Sequence, residues 1–147
     1  MNVPRLALLI QLCTTLPLVG VIWMVQVVAY PLFARVGAAE FARYHEAHAR
    51  LITFVVGPLM VGELGASIVS VFRPHAAMPR GAALGGVVLA LLTWGFTMFL
   101  SVPKHDLLGH GFDARAHEVL VLTNWLRTAA WTARGALLLW VAHRAIG

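Results

Sequence analysis

Between Arg5 and Arg35 the chain carries no charged side chain. A helix needs about 20 mainly apolar residues to cross the hydrocarbon of a bilayer, so this one run is long enough to span it. Three further stretches follow. Between Arg50 and Arg73 the only charge is Glu63, residues 81–103 carry none, and residues 119–141 are interrupted only by Arg127 and Arg134. A chain in lipid must satisfy its backbone amides within each spanning segment, and long unbroken runs do so as helices. The expected fold is all-α, a four-helix transmembrane bundle with spans near residues 6–32, 51–72, 81–103 and 119–141. Residues 1–147 are read as a single domain, because no span could bury its polar groups alone. No internal repeat stands out.

Charge supports lipid as the solvent. Charged residues make up 12% of the chain, where a soluble domain carries about 25%. The net charge of +5 would suit a nucleic-acid partner, but the basic residues stand singly at the ends of apolar runs, with no patch of interleaved aromatics. The expected partners are the bilayer and a lipophilic small molecule, with no nucleic acid; an oligomer is compatible with the sequence. Cys13, the only cysteine, excludes an intrachain disulfide and is expected as a small packed residue. The apolar stretch after Arg5 is far longer than a signal-peptide core, so it is read as a retained helix.

The connections alternate in character. Residues 73–80, with Pro74 and Pro79, form a short turn on the side of the termini. Residues 34–50 and 104–118 fall together on the opposite side and bring His45, His48, His105, His110 and His117 with them. Basic residues are nearly balanced between the sides, and both termini are assigned to the cytoplasmic face of a bacterial-type inner membrane. In the first long connection, Phe41, Tyr44, His45 and His48 share one helical face, which predicts an extra amphipathic helix around residues 38–50, between spans 1 and 2. That helix could lie in the interface. Alternatively, His45 and His48 could turn into the bundle mouth and join His105 and His117 as metal ligands or proton-transfer groups. The sequence admits a metal ion but requires none.

The fourth span holds the strongest local pattern. His117, Asn124, Arg127, Trp131 and Arg134 fall within one arc of roughly 100° on a helix of 3.6 residues per turn. An arginine at mid-span costs about 2.5–3.5 kcal/mol, so two on one stripe need compensation. Counted from the loop side, Glu63 lies ~18 Å deep, between Arg127 at ~14 Å and Arg134 at ~24 Å. The three could form a structural ion-pair triad, or a site whose surplus positive charge takes an anionic or enolate-like ligand. Pro58 should free a carbonyl near Phe54 and open space beside the second span. Gln11 and Gln26 suit interhelical packing, and Asp113 suits the N-cap of a helix starting near Ala114.

The segment Pro103-Lys104-His105-Asp106-Leu107-Leu108, followed by Trp125-Leu126-Arg127 and Trp131-Thr132-Ala133-Arg134, resembles the C-terminal half of the anthrone-oxygenase-like family of small four-helix membrane proteins. A looser likeness covers Tyr30-Pro31-Leu32-Phe33, Pro58 and Leu59. His105 stands where that family usually has asparagine. The resemblance implies oxidation of an activated aromatic carbon by dioxygen, without an obligatory metal or organic cofactor, and draws attention to His105, Trp125, Arg127 and Arg134. Residues and resemblance together predict an oxidoreductase or oxygenase acting on a lipophilic aromatic or quinol-like molecule. The catalytic candidates are His105, His117 and Arg127, and the substrate-binding candidates are Glu63, Asn124, Trp125, Trp131 and Arg134. Two other functions fit the same sequence: a non-enzymatic metal- or haem-binding protein, and a small carrier or assembly subunit in which the buried charges are structural.

Overall fold

In a computed structural model, which describes residues 2–146, the chain is helical nearly throughout, with no strand among the described residues. The elements are α1 (Val3–Met24), a π-helical turn (Val25–Ala29), α2 (Tyr30–Phe33), α3 (Ala38–Phe72), α4 (Arg80–Phe96), a second π-helical turn (Thr97–Ser101), α5 (Val102–Gly109) and α6 (Ala114–Ile146). Val3–Phe33, Ala38–Phe72 and Arg80–Gly109 are each long and apolar enough to cross a membrane. Their outward faces carry large apolar side chains such as Phe54, Phe72 and Phe99, each about four-fifths exposed, which suits a lipid solvent. Cys13 lies on this exposed surface, not in the packed interior as expected.

The 38–50 segment is not a separate element. Its helix runs on without a break through Pro58 to Phe72, with Phe41 and His45 buried in the first turns of α3 and Tyr44 exposed. α1 packs on α3 and α6, and α4 packs on the same two helices. Each long helix therefore packs closely along two neighbours, and side chains alone reach across the diagonal from α3 to α6.

One end of the stack is closed by Leu8, Met78, Ala83, Leu138 and Val141, which gathers both chain ends and the turn after α3. The other end is closed by Tyr30, Phe33, Phe41, Leu108 and Leu120, beneath the two longer connections. Asp113 caps α6 as its sequence position suggested, accepting from the Ala116 amide at 2.6 Å.

Both π-helical turns end two residues before a proline, Pro31 in one case and Pro103 in the other. Proline has no amide proton, so a carbonyl one turn back loses its partner. A wider i→i+5 turn is a common way to absorb such a defect, and π turns gather at functional sites. Here they set the register of Tyr30 and His105, which meet across the bundle.

Candidate functional site

α6 presents two buried arginines seven residues apart, and their charge partners differ. Arg134 and Glu63 are fully buried and form an ion pair, with Arg134 Nε donating to Glu63 Oε1 at 2.8 Å. The remaining guanidinium donors reach Gln11 Oε1 at 3.0 Å, Ser67 Oγ at 2.5 Å and the Gly86 carbonyl. Glu63 also accepts from Thr15 Oγ1 at 2.8 Å and Trp131 Nε1 at 3.2 Å. Gln11 in turn donates to Ser70 at 2.8 Å. Every helix of the stack contributes to this cluster. A charge pair buried in a low-dielectric interior is tolerable only with such complete partnering. Gly86 makes the approach possible, since a Cβ there would lie 3.2 Å from Arg134 Nη1.

Arg127 has no carboxylate beside it. Its Nη1 donates to Asn124 Oδ1 at 3.0 Å and, more weakly, to Ser101 Oγ at 3.4 Å. Asn124 is itself held by Gln26, whose Oε1 accepts from Asn124 Nδ2 at 2.8 Å. The guanidinium lies over the Trp131 ring, 5.1 Å from its centroid, a cation–π contact. Nε is buried and has no partner. Neutral amides and an aromatic face thus orient the group while leaving its charge uncompensated.

Arg127 borders a cavity of about 270 Å³ between the helices, close to the lower end of the roughly 300–1,000 Å³ usual for small-molecule sites. The walls are mostly apolar, with Ile22, Val25, Val56, Met60 and Trp131 prominent. On the α3 wall the cavity is bordered by Gly57, while Pro58 itself does not line it and the helix continues through it. The polar lining is Tyr30, Thr53, Thr97, Ser101, His105 and Arg127, and Trp94 also borders the cavity. Trp94 Nε1, like Arg127 Nε, is buried without a partner. Buried donors are almost always satisfied, and both residues that carry these two unpartnered nitrogens line the cavity.

From the cavity wall a chain of three side chains leads outward. Tyr30 Oη lies 2.9 Å from His105 Nε2, and His105 Nδ1 lies 2.9 Å from His45 Nε2. With Tyr30 donating to Nε2, the His105 proton sits on Nδ1 and points at His45. Phe33 packs edge-on against His45 and His48 and fixes their orientation.

Of the predicted catalytic residues, His105 and Arg127 line the cavity. His117 does not; its Nε2 lies 2.7 Å from the Tyr30 carbonyl, which it anchors. Of the predicted substrate-binding residues, only Trp131 lines the cavity. Glu63 and Arg134 are consumed by their own network, and Asn124 is one step behind Arg127. Trp125 stands half exposed on the outer surface, edge-on to Trp23.

The structure does not assemble His45, His48, His105 and His117 into one ligand set. His45 and His105 direct ring nitrogens at each other and His117 serves a carbonyl. Among the described residues no group of three or more His, Cys, Asp or Glu is arranged to hold a metal ion. Tyr30, Trp94 and Ser101 were not singled out as site residues from the sequence. The prolines following both π turns were the available signal for two of them. In comparisons with known proteins, no family model, no curated protein and no solved structure matches this chain.

Proposed function

We propose that this chain is a four-span membrane protein that binds a lipophilic aromatic molecule bearing an oxygen acceptor, such as an anthrone or quinol, and promotes its oxidation by dioxygen. α6 is counted as the fourth span. It matches its neighbours in length and buries both of its mid-helix arginines inside the stack, as intramembrane charge requires. In the favoured orientation both chain ends face the cytoplasm, and the Tyr30–His105–His45 end faces away from it.

The observation that carries the reading is the apolar cavity lined by Arg127 and Trp94, each of which holds a buried, unpartnered donor, Nε and Nε1 respectively. An apolar ring system matches the walls, and a carbonyl or phenolate oxygen matches the donors. Arg127 lacks a counter-charge, so it favours a ligand that becomes anionic. For an anthrone, loss of a proton from the ring methylene places charge on the carbonyl oxygen, where a guanidinium in a water-poor site stabilises it most. The proton can pass to Tyr30 Oη as its own proton moves to His105 Nε2 and the Nδ1 proton moves to His45.

The electron-rich carbanion then reacts with dioxygen. In the overall change the CH2 carbon becomes a ketone, losing four electrons and taking one oxygen atom. The second oxygen atom and the two hydrogens leave as water, so O2 is fully reduced. No redox cofactor is needed to balance this step. The resemblance noted around His105 and Arg127 points the same way.

Oxygen uptake by purified protein supplied with anthrone tests the proposal. Wild type should consume one O2 per ketone formed, and His105→Ala should lose the activity. Unchanged turnover in that variant removes His105 from the mechanism. Saturable binding of the anthrone with no oxygen uptake above the uncatalysed rate identifies a carrier in place of an oxygenase.

A further inference from the structure

The two halves of the molecule repeat each other at an offset of 72 residues. The π turn Val25–Ala29 recurs as Thr97–Ser101, Pro31 as Pro103, and Gly37 as Gly109. Ala42-Arg43-Tyr44-His45-Glu46 recurs as Ala114-Arg115-Ala116-His117-Glu118. Side-chain contacts obey the same shift. A Cβ on Gly62 would lie 3.2 Å from Thr14, and Gly86 and Arg134, the counterparts of Thr14 and Gly62, approach each other just as closely. The ring pair His45–His105 has its counterpart in His117–Phe33. The packing follows suit: α1 on α3 matches α4 on α6, and the α3/α4 seam matches the α6/α1 seam. An internal repeat that does not stand out in the sequence is therefore present in the fold. The two halves contain two long helices each, so they run in the same direction through the stack and relate by a pseudo-twofold axis along it.

This internal symmetry makes one seam a control for the other. Along the α6/α1 seam, Trp23 and Trp125 meet edge-to-face at 5.8 Å, and Trp23 Nε1 donates to Thr132 at 3.0 Å. Beneath them Gln26 and Asn124 are bonded across the gap at 2.8 Å. That seam is sealed. On the α3/α4 seam the counterparts of Trp23 and Trp125 are Gly95 and Thr53, and those of Gln26 and Asn124 are Met98 and Ile52. Two bulky plugs are missing and no hydrogen bond crosses between these residues. Thr53 and Met98 line the cavity and are also exposed on the outer surface. A Cβ added at Gly95 would meet nothing within 4 Å.

We infer that the α3/α4 seam is a lateral doorway through which the cavity exchanges a lipophilic ligand directly with the bilayer. The inference rests on the proposed ligand-binding cavity and adds its route of entry. A ligand of this class concentrates in the hydrocarbon, so a membrane-facing opening meets it at far higher concentration than an opening to water. The flexible Met98 side chain suits a doorway that must yield. At the inner end Trp94 and Arg127 would receive the oxygen, leaving the apolar body along Ile52, Val56 and Met98.

The experiment transplants the seal. Thr53→Trp with Gly95→Trp is compared with wild type in vesicles of phosphatidylcholine and phosphatidylglycerol containing 1,8-dihydroxyanthraquinone, a stable lipophilic phenol, with binding followed by stopped-flow quenching of tryptophan fluorescence. The sealed variant should associate and dissociate about tenfold or more slowly, since a blocked route slows both directions. Single Thr53→Trp should give an intermediate rate if the double variant does not fold. Matched Trp substitutions at exposed Leu122 and Leu139 control for added tryptophan and should leave the rates unchanged. Rates equal to wild type in both seam variants overturn the doorway while leaving the binding site standing. No quenching in wild type itself overturns the binding reading and the doorway with it.

Discussion

Arg134 and Arg127 lie on the same face of one helix, yet one is fully neutralised and the other is left charged at the edge of a cavity. The Arg134 guanidinium is clamped by Glu63, Gln11, Ser67 and the Gly86 carbonyl, which together draw on every helix of the stack. Arg127 is held on one side by Asn124 and stacked on Trp131, and keeps a bare Nε. The two charges are therefore put to different uses. Saturated partnering spends the charge on holding helices together, whereas orientation without neutralisation keeps it available. Trp131 joins the two regions, donating to Glu63 while presenting its ring to Arg127.

The largest expected effect comes from unbalancing the saturated region. Glu63→Gln strands the buried guanidinium of Arg134 and should destabilise the protein by about 3–5 kcal/mol, read as a lower unfolding temperature in detergent and reduced yield. Replacing both charges, as Glu63→Met with Arg134→Leu, should recover most of that loss, because an apolar pair has no desolvation cost to offset. A double variant as unstable as Glu63→Gln would show that the neutral hydrogen bonds, not the ion pair, hold the helices.

Arg127→Leu should behave in the opposite manner. It removes an uncompensated buried charge, so the unfolding temperature should hold or rise, while affinity for 1,8-dihydroxyanthraquinone drops by about 10- to 100-fold through loss of a charge-assisted hydrogen bond. Equilibrium fluorescence titration in vesicles reads the affinity. A large fall in stability with unchanged binding would place Arg127 with Arg134 as a structural charge.

Smaller still is Trp94→Phe, which deletes one neutral donor and keeps the aromatic wall. Its cost in affinity should be about 1 kcal/mol, or roughly fivefold, in the same titration. Asn124→Leu touches no cavity wall but frees the Arg127 guanidinium, so it should weaken binding only as far as Arg127 reorients. Restored affinity in Asn124→Asp is not expected, because a carboxylate there would neutralise the charge the ligand needs. Tight binding by that variant would contradict the contrast drawn between the two arginines.

Much of the fold could be read from where charges are missing. The uncharged stretch after Arg5 and the nearly uncharged stretch after Arg50 became long helices, because apolar runs of that length have one way to satisfy their amides in lipid. Depth counting also brought Glu63 level with the α6 arginines, and Glu63 does pair with one of them. It could not choose Arg134 over Arg127, since that depends on helix rotation and on the close approach that Gly86 permits. The histidines were correctly gathered at one end, yet only His45 and His105 share a hydrogen bond. His117 was diverted by the Tyr30 carbonyl, left free where α2 ends before the turn into α3. The 72-residue recurrence lay in the sequence throughout, but six matched residues among apolar filler gain weight only when two π turns and paired contacts obey the same shift.

Hydrophobic runs of membrane length, broken by charged connections, dictate both the solvent and the secondary structure, helices in lipid, whatever packs beside them. Which polar groups are satisfied and which are left open is settled by packing between helices. That outcome depends on the rotation and spacing of neighbouring helices, set to a fraction of a turn by two proline-induced π segments. A hydrogen bond needs its partner within about 3 Å, and periodicity along one helix carries no information about distances to another.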